Sequence, residues 1–152
     1  MLRLSTCVRW ATSSAAALAF LAAGCAHQGG DELATLELSM IVTEPSGAIM
    51  VAIFDSAESY NGGGSPVRGA RVRLSSETAT TVFKGLPPGS YAVRAFHDQN
   101  GDGTLNTNPL GALLEPFAFS NNAIVQYGPP AFEDAALTLK PGANSDTLRF
   151  SL

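Results

Sequence analysis

Short apolar segments punctuated by turn residues constrain the fold of this chain more than any other feature. The pattern begins at residues 36–43, where every second side chain is apolar: Leu36, Leu38, Met40 and Val42. A period of two is typical of a half-buried β-strand. Similar segments, separated by Gly, Pro, Asn and Asp turns, predict further strands at residues 49–54, 70–75, 78–83, 90–97, 135–139 and 147–152.

The number and spacing of these segments favour an all-β domain. About seven short strands with frequent turns, and no segment with the pattern of an amphipathic helix, indicate an antiparallel sandwich or barrel. Residues 49–54 (IMVAIF) are apolar on both faces, as expected for a central strand. Residues 99–132 show little alternation. Because so long a connection in a compact domain is usually functional or held by extra contacts, we expect one long ordered loop region there.

The N-terminal segment has the pattern of an export signal. Arg3 and Arg9 are the only charged residues before Asp31, and residues 15–23 (AAALAFLAA) form a short apolar run. A membrane-spanning helix needs about 20 apolar residues, roughly twice this length. A positive start, a short apolar core and small residues after it are typical of a cleaved signal peptide, which we assign to residues 1–24.

Cys25 follows a Leu-Ala-Ala-Gly sequence that resembles a bacterial lipobox, in which the cysteine is lipidated and becomes the first mature residue. Two or more acyl chains hold a protein stably at a membrane. Residues 25–33 would then be a tether, and residues 34–152 the β-sandwich domain. In similar lipoproteins of enteric bacteria, an Asp directly after the cysteine is linked with retention in the inner membrane. This chain has Ala26 at that position, which favours an outer-membrane lipoprotein that faces the periplasm. The alternative is ordinary cleavage after Ala26, which would give a soluble periplasmic or secreted protein.

The charge and the cysteines of the mature chain exclude several classes of function. The whole sequence has a net charge of −4, and loss of the signal peptide removes Arg3 and Arg9, which leaves 7 basic against 13 acidic side chains and a net charge of −6. So acidic a domain lacks the basic surface that nucleic acids require, and we expect no nucleic-acid partner. Cys7 leaves with the signal peptide and Cys25 is the anchor, so no disulfide is predicted.

Several stretches of the sequence resemble the bacterial family known as domain of unknown function 2141. They are residues 83–93 (FKGLPPGSYAV), 97–103 (HDQNGDG), 119–123 (FSNNA) and 128–135 (GPPAFEDA), together with Glu115. The resemblance spans nearly all of residues 35–152 in the same order, with departures at Asn106, Leu113 and Ala118. It implies an exported antiparallel Greek-key sandwich of the transthyretin (prealbumin) or immunoglobulin type, and it supplies no established activity.

The loop after the fifth predicted strand carries the chemistry of most interest. Asp98, Asn100 and Asp102 occupy alternate positions before Gly103. This spacing matches the first part of an EF-hand-type calcium loop, in which positions 1, 3 and 5 supply oxygens and a glycine at position 6 permits a sharp turn. Thr104 would offer its backbone carbonyl as a further ligand.

The second part of the calcium pattern is incomplete. Pro109 stands at the twelfth position, where a bidentate carboxylate belongs, so Asn106, Asn108 or Glu115 would have to complete the shell. Such a site would bind Ca²⁺ weakly, with a Kd on the order of 10⁻⁴–10⁻³ M, and would be structural. The alternative is a turn-rich loop that Asn, Asp and Gly stabilise through bonds between side chain and backbone.

A catalytic interpretation has less support from the sequence. His97, Asp98 and Glu115 would be the residues of a cryptic metal-assisted hydrolase, but a single histidine is few for zinc, which usually takes three or four protein ligands. We expect His97 instead to lie at a strand end, hydrogen-bonded to a loop carbonyl or carboxylate. Ser90 and Ser120 lie in no nucleophile-elbow motif, so hydrolase chemistry based on serine is not predicted.

Four aromatic residues, Tyr60, Phe117, Phe119 and Tyr127, would either line a groove for a carbohydrate or peptide or pack under the long loops. The sequence therefore predicts an exported, lipid-anchored, non-enzymatic module of the cell envelope with a candidate structural calcium loop. Its expected partners are the membrane, through the anchor, and an envelope protein or glycan.

Overall fold

The computed structural model describes residues 32–126 and 128–152, which form two β-sheets and three short helical turns. The strands are β1 (Ala34–Ile41), β2 (Ala48–Phe54), β3 (Arg68–Arg73), β4 (Thr78–Leu86), β5 (Gly89–Asp98), β6 (Phe117–Phe119), β7 (Ala136–Leu139) and β8 (Gly142–Arg149). The helical turns are a π-helical turn (Ser59–Gly63), a 3₁₀ turn (Ser120–Asn122) and α1 (Phe132–Ala135).

The smaller sheet has three strands in the order β4-β1-β8. β1 pairs antiparallel with β4, from Ile41 opposite Thr78 to Ala34 opposite Leu86. On its other edge β1 pairs parallel with β8, from Ala34 opposite Gly142 to Ile41 opposite Arg149. β1 is therefore the central strand of this sheet.

The larger sheet has five strands and is built around β5. Its order is β3-β2-β5-β6, and β7 also pairs with β5. β2 lies along one edge of β5, whereas β7 pairs with residues 89–92 and β6 with residues 94–96 of the other edge. All pairings in this sheet are antiparallel. The two short strands thus share a single edge of β5, with Val93 between them.

The main hydrophobic core lies between the two sheets, as in a sandwich. Its members from the small sheet include Leu36, Leu38 and Met40, which are fully buried, and the large sheet contributes alternate residues such as Ile53 and Val93. Burial of these side chains stabilises the fold by roughly 1.5–3 kcal/mol each before conformational entropy is subtracted. The predicted period-two pattern of residues 36–43 is confirmed, because its apolar side faces this core.

The predicted β-rich sandwich is confirmed in outline, and three details of the prediction are wrong. The pairing of β1 with β8 is parallel, so the domain is not wholly antiparallel. These strands lie far apart in the chain, and no hairpin forces them to run in opposite directions. An eighth strand, β6, lies within residues 99–132 and is too short to show alternation. β8 begins at Gly142, five residues before the predicted start. The prediction missed its first residues because residues 144–147 are all polar and show no apolar alternation.

The predicted signal peptide, Cys25 and most of the tether lie outside the described residues. In residues 32–126 and 128–152, no helix is both long and apolar enough to cross a membrane.

Candidate functional site

The two faces of β5 have different surroundings. Tyr91, Val93 and Ala95 point toward the small sheet and belong to the main core. Arg94 and Phe96 point to the opposite, outer face, because successive side chains of a strand alternate. An apolar outer face requires a cover other than the second sheet.

The outer face of the large sheet carries two cross-strand rows of side chains. Met50, Phe96 and Phe117 are register partners in one row, and Ala52, Arg94 and Phe119 are partners in the next. Directly opposed side chains on one face lie about 4.5–5.5 Å apart at their Cβ atoms. Across β2, β5 and β6 the rows form a continuous surface that is apolar except for Arg94, and on β3 the first row ends at Arg71, the register partner of Met50.

A pocket of about 600 Å³ lies on this surface. The long loop forms its other wall, with Leu105, Gly111, Leu113, Val125, Gly128 and Pro129 among the lining residues. The volume is within the range of about 300–1,000 Å³ that is typical of small-molecule sites, and such sites are mostly apolar with few polar groups. Arg94 is the one charged residue among the described residues that line it.

Beside the pocket, a second apolar cluster packs on the outer face of the sheet. Tyr60 is fully buried there and meets Phe54 and Phe132 edge-on, with ring centroids 5.6 and 5.8 Å apart. The guanidinium carbon of Arg94 lies 3.9 Å from the ring centroid of Tyr60, a cation–π contact. Burial raises the pKa of the Tyr60 hydroxyl and the negative charge of Asp134 adds to that rise, whereas the Arg94 guanidinium partly offsets it.

Two buried carboxylates hold the first part of the long loop. The Asp98 carboxylate is fully buried and accepts hydrogen bonds from the backbone N–H groups of Gly101 (2.8 Å) and Gly103 (3.1 Å). Arg71 also approaches Asp98, at 3.4 Å between Nη2 and Oδ2. This is the one ion pair found within the described parts of the chain, and its arginine is about half exposed.

Glu115 is the second carboxylate, and it ties the two ends of the loop together. Its two oxygens accept hydrogen bonds from the backbone N–H groups of Gln99 (3.0 Å) and Asn106 (3.1 Å). Its side chain is buried, although the sequence placed it in a region without a clear pattern. Glu115 therefore acts as a clamp, which positions residues 99–106 against the end of the sheet.

The remaining residues of the predicted calcium loop form an exposed network around Asp102. The amide nitrogens of Asn100 and Asn106 donate to Oδ2 of Asp102, and the backbone N–H of Thr104 donates to its Oδ1. These three bonds, the one from Asn106 foremost, hold the pKa of Asp102 below its usual value. Thr104 enters the network through its N–H.

The described residues contain no group of three or more His, Cys, Asp or Glu side chains arranged to hold a metal ion. Asp98 and Glu115 each use both oxygens on backbone N–H groups, and Asp102 receives two side-chain amides. The network of bonds from Asx side chains to the backbone corresponds to the turn-rich alternative predicted from the sequence. A cation would need the Asn100 and Asn106 amides to turn their oxygens toward Asp102.

His97 has a structural contact at the end of β5. It is buried, and its Nε2 lies 2.6 Å from the carbonyl oxygen of Ser46, in the turn before β2. The predicted role as a strand-end histidine bonded to a loop carbonyl is confirmed. Gly47, next in that turn, has a φ of +71° and packs so closely on the backbone of Asp98 that a Cβ atom would clash.

The three residues of the hydrolase alternative have separate surroundings. His97 contacts Ser46, and Asp98, the next residue of β5, points to the opposite face of the sheet. Glu115 is occupied by two backbone donors. Each of the three side chains therefore has a packing or hydrogen-bonding role in the fold.

Sequence reasoning missed two residues of this region. In the sequence, Arg94 is only a polar residue of an alternating strand. No sequence feature indicates that its charged side chain lines an apolar pocket. Ser120 is fully buried, and its hydroxyl accepts from the N–H of Val93 (2.8 Å) and donates to the carbonyl of Ala135. It fills the gap between β6 and β7 along β5, a contact over 27 residues that no local pattern reveals.

The aromatic residues predicted to line a groove divide into three groups. Phe117 and Phe119 line the pocket and pack edge-on, with centroids 5.8 Å apart. Tyr60 is buried in the adjacent cluster, as expected for packing. Tyr127 is outside the described residues.

Comparison with known proteins identifies a family and no function. The profile of a family described as "Uncharacterized protein conserved in bacteria (DUF2141)" matches residues 41–147, well over half of the chain. No curated protein and no solved structure gives a significant match. The matched residues run from the end of β1 into β8 and include the whole outer face with its loop. This chain therefore belongs to the DUF2141 family of bacterial proteins.

Proposed function

We propose that this chain is a non-enzymatic binding module of the bacterial cell envelope, and that it binds a small apolar ligand on the outer face of the five-stranded sheet. The observation that carries the proposal is the pocket of about 600 Å³ between two cross-strand rows and the long loop. Its lining offers many apolar contacts. His97, Asp98 and Glu115 are engaged in hydrogen bonds of the fold.

The clamped loop supports this proposal. Asp98 and Glu115 fix residues 99–106 through four backbone hydrogen bonds, so the part of the pocket wall that carries Leu105 is held in place before any ligand arrives. Preorganisation of this kind lowers the entropic cost of binding.

Binding of a neutral apolar dye tests the proposal. We expect Nile red fluorescence to rise when the dye is titrated with the purified full-length protein. Ala52 lies on the pocket floor, so Ala52→Leu should reduce the dye affinity severalfold by filling the space. Ala143→Leu, on an exposed position of the other sheet, is the matched control. Equal dye affinity in wild type and Ala52→Leu would rule out the pocket as the site.

The proposed location is the outer membrane, with Cys25 lipidated and the domain facing the periplasm; a soluble periplasmic or secreted form is the alternative. Support comes from the signal-peptide pattern and the Leu-Ala-Ala-Gly-Cys sequence. The macromolecular partner would be an envelope protein or a glycan. Radiolabelled palmitate should be incorporated by the wild type and by Cys7→Ser and not by Cys25→Ser. Labelling that survives in Cys25→Ser would exclude this acceptor.

We also propose weak structural calcium binding, because the exposed Asp102 carboxylate lies beside the side-chain amides of Asn100 and Asn106, whose oxygens would face a cation once the amides turned. Oxygens of Asp98, Asn100, Asp102, Thr104, Asn106 and Glu115 would be the ligands. Calorimetry of the full-length protein with calcium at about millimolar concentration, the range of weak extracellular sites, tests this. Asp102→Asn should remove the heat of binding, and Asp55→Asn, an exposed aspartate elsewhere, should retain it. No heat in the wild type would end this proposal.

A further inference from the structure

The charge of Arg94 has no counterion in the described parts of the protein. No carboxylate lies within ion-pair distance of its guanidinium in residues 32–126 and 128–152, where Arg71 and Asp98 form the one ion pair. The Nε atom of Arg94 is buried and has no hydrogen-bond partner. Arg94 is therefore a partly buried cation held by aromatic rings.

The position of Arg94 makes this charge costly. Its register partners are Ala52 on β2 and Phe119 on β6, and the next row carries Met50, Phe96 and Phe117. A charged group surrounded by apolar side chains loses hydration that only a paired anion or strong hydrogen bonds restore. The contact with Tyr60 supplies a part of this compensation.

Arginine is suited to recognition of an anionic head group. Its planar guanidinium donates up to five hydrogen bonds and pairs with carboxylates through two parallel N–H···O bonds. The small side chain of Ala52 beside it leaves room on the pocket floor. A ligand that combined an anionic end with an apolar body would match both the charge and the lining.

We propose that the pocket binds an amphipathic monoanion of the fatty-acid class, whose carboxylate pairs with Arg94 and whose apolar chain lies along Met50, Phe96 and Phe117. This inference rests on the proposed function, since it assigns a ligand class to the same pocket. Charge complementarity selects this occupant: a neutral apolar molecule would leave the Arg94 charge unpaired, and a cation would be repelled by it.

A series of three probes with the same twelve-carbon chain tests the proposal by calorimetry on the purified full-length protein. Dodecanoate should bind at least about tenfold more tightly than dodecanol, and dodecyltrimethylammonium should bind least, each below its micellar concentration. Arg94→Met keeps an apolar chain of similar length and should abolish the preference for dodecanoate while dodecanol still binds. Arg73→Met, at an exposed position of β3, should behave as the wild type.

The outcomes separate this proposal from the proposed function. Equal affinities for dodecanoate and dodecanol in the wild type, or an unchanged preference in Arg94→Met, would overturn the assignment to an anion and leave an apolar binding site. Absence of binding by all three probes and by Nile red would overturn both proposals. If Arg94→Met fails to fold, the wild-type series alone decides, because the charge preference is measured without any variant.

Discussion

Both faces of the five-stranded sheet carry rows of apolar side chains, and the two faces meet very different surroundings. On the inner face, the row Val51, Ala95 and Ala118 is buried against the three-stranded sheet. On the outer face, the parallel row of Met50, Phe96 and Phe117 is only half-buried, and it faces a pocket and a loop. One face is sealed by a second sheet, and the other is covered by irregular chain.

The difference suggests a division of roles between the faces. Sheet-on-sheet packing excludes water and leaves no room for a ligand, so the inner face supplies stability. A loop held at a few points covers a sheet without filling every space, and binding sites are often built from loops on a rigid scaffold. The outer face thus has the apolar surface of a core without its close packing.

The largest expected effect compares one substitution on the two faces. Met40→Ala removes a fully buried side chain between the sheets and should lower the free energy of unfolding by about 2–5 kcal/mol. Met50→Ala, in the half-buried outer row, should cost about 1 kcal/mol or less, because the pocket already leaves space beside it. Chemical denaturation measures both values. Similar costs would show that the outer face is packed as tightly as the core.

The second prediction concerns Ser120, whose hydroxyl links β5 at Val93 to the end of α1 at Ala135. Ser120→Ala would leave the Val93 N–H and the Ala135 carbonyl without their buried partner, so the free energy of unfolding should fall by about 2–4 kcal/mol. Ser90→Ala, on an exposed position of β5, should change it by no more than about 0.5 kcal/mol. Chemical denaturation curves measure the free energy of unfolding of both variants. If Ser120→Ala is as stable as Ser90→Ala, the role assigned to Ser120 is refuted.

The third prediction compares residues 99–106 of the loop that covers the outer face with β5 of the sheet beneath it. Glu115→Ala removes the clamp on Gln99 and Asn106, and because both hydrogen bonds are only partly buried, the global cost should be about 1–2 kcal/mol. Amide hydrogen exchange should speed up in residues 99–106 and stay slow in β5. The affinity of Glu115→Ala for Nile red should also fall. Glu44→Ala, at an exposed position, should alter neither the exchange nor the affinity. Unchanged exchange in residues 99–106 would contradict the clamp.

The smallest expected effect is the pH response of the exposed network. The pKa of Asp102 is lower in the folded chain than its ordinary value of 3.8, so its contribution is complete above that value and is lost as the pH falls through the lowered pKa. NMR titration should therefore show the Thr104 amide shifting only in strong acid, and Asp102→Asn should remove that shift. A midpoint at or above 3.8 would contradict the hydrogen-bonded network.

The strands could be predicted from the sequence wherever burial imposes a period of two. Leu36, Leu38 and Met40 follow that rule, and so do the alternating residues of β5. β6 escaped prediction because three residues are too few for a period. The first five residues of β8 escaped it because the pairing of β8 with β1 does not need apolar residues at every second position. The direction of β8 depends on a partner over a hundred residues away.

The candidate site was predicted in part. The Asp-x-Asn-x-Asp-Gly spacing located a loop with convergent side-chain oxygens, and the strand-end contact of His97 was foreseen. The clamp by Glu115 and the roles of Arg94 and Ser120 could not be inferred, because each depends on which residues the sheets bring together. The sequence suggests Phe117 and Phe119 as possible lining residues, but the two rows in which they lie on the outer face depend on the register with β5.

The sequence by itself determined the class of this protein: an alternating, turn-rich chain can bury its apolar residues only as a layered β-structure, and its motifs resemble the family to which the chain belongs. Tertiary structure alone decided which apolar face is closed and which holds a pocket. The physical reason is that periodicity reports that a side chain is shielded from water and not what shields it. On β5 the same alternation sends Val93 into a sealed core and Arg94 into an apolar pocket, where its charge is left without a described counterion.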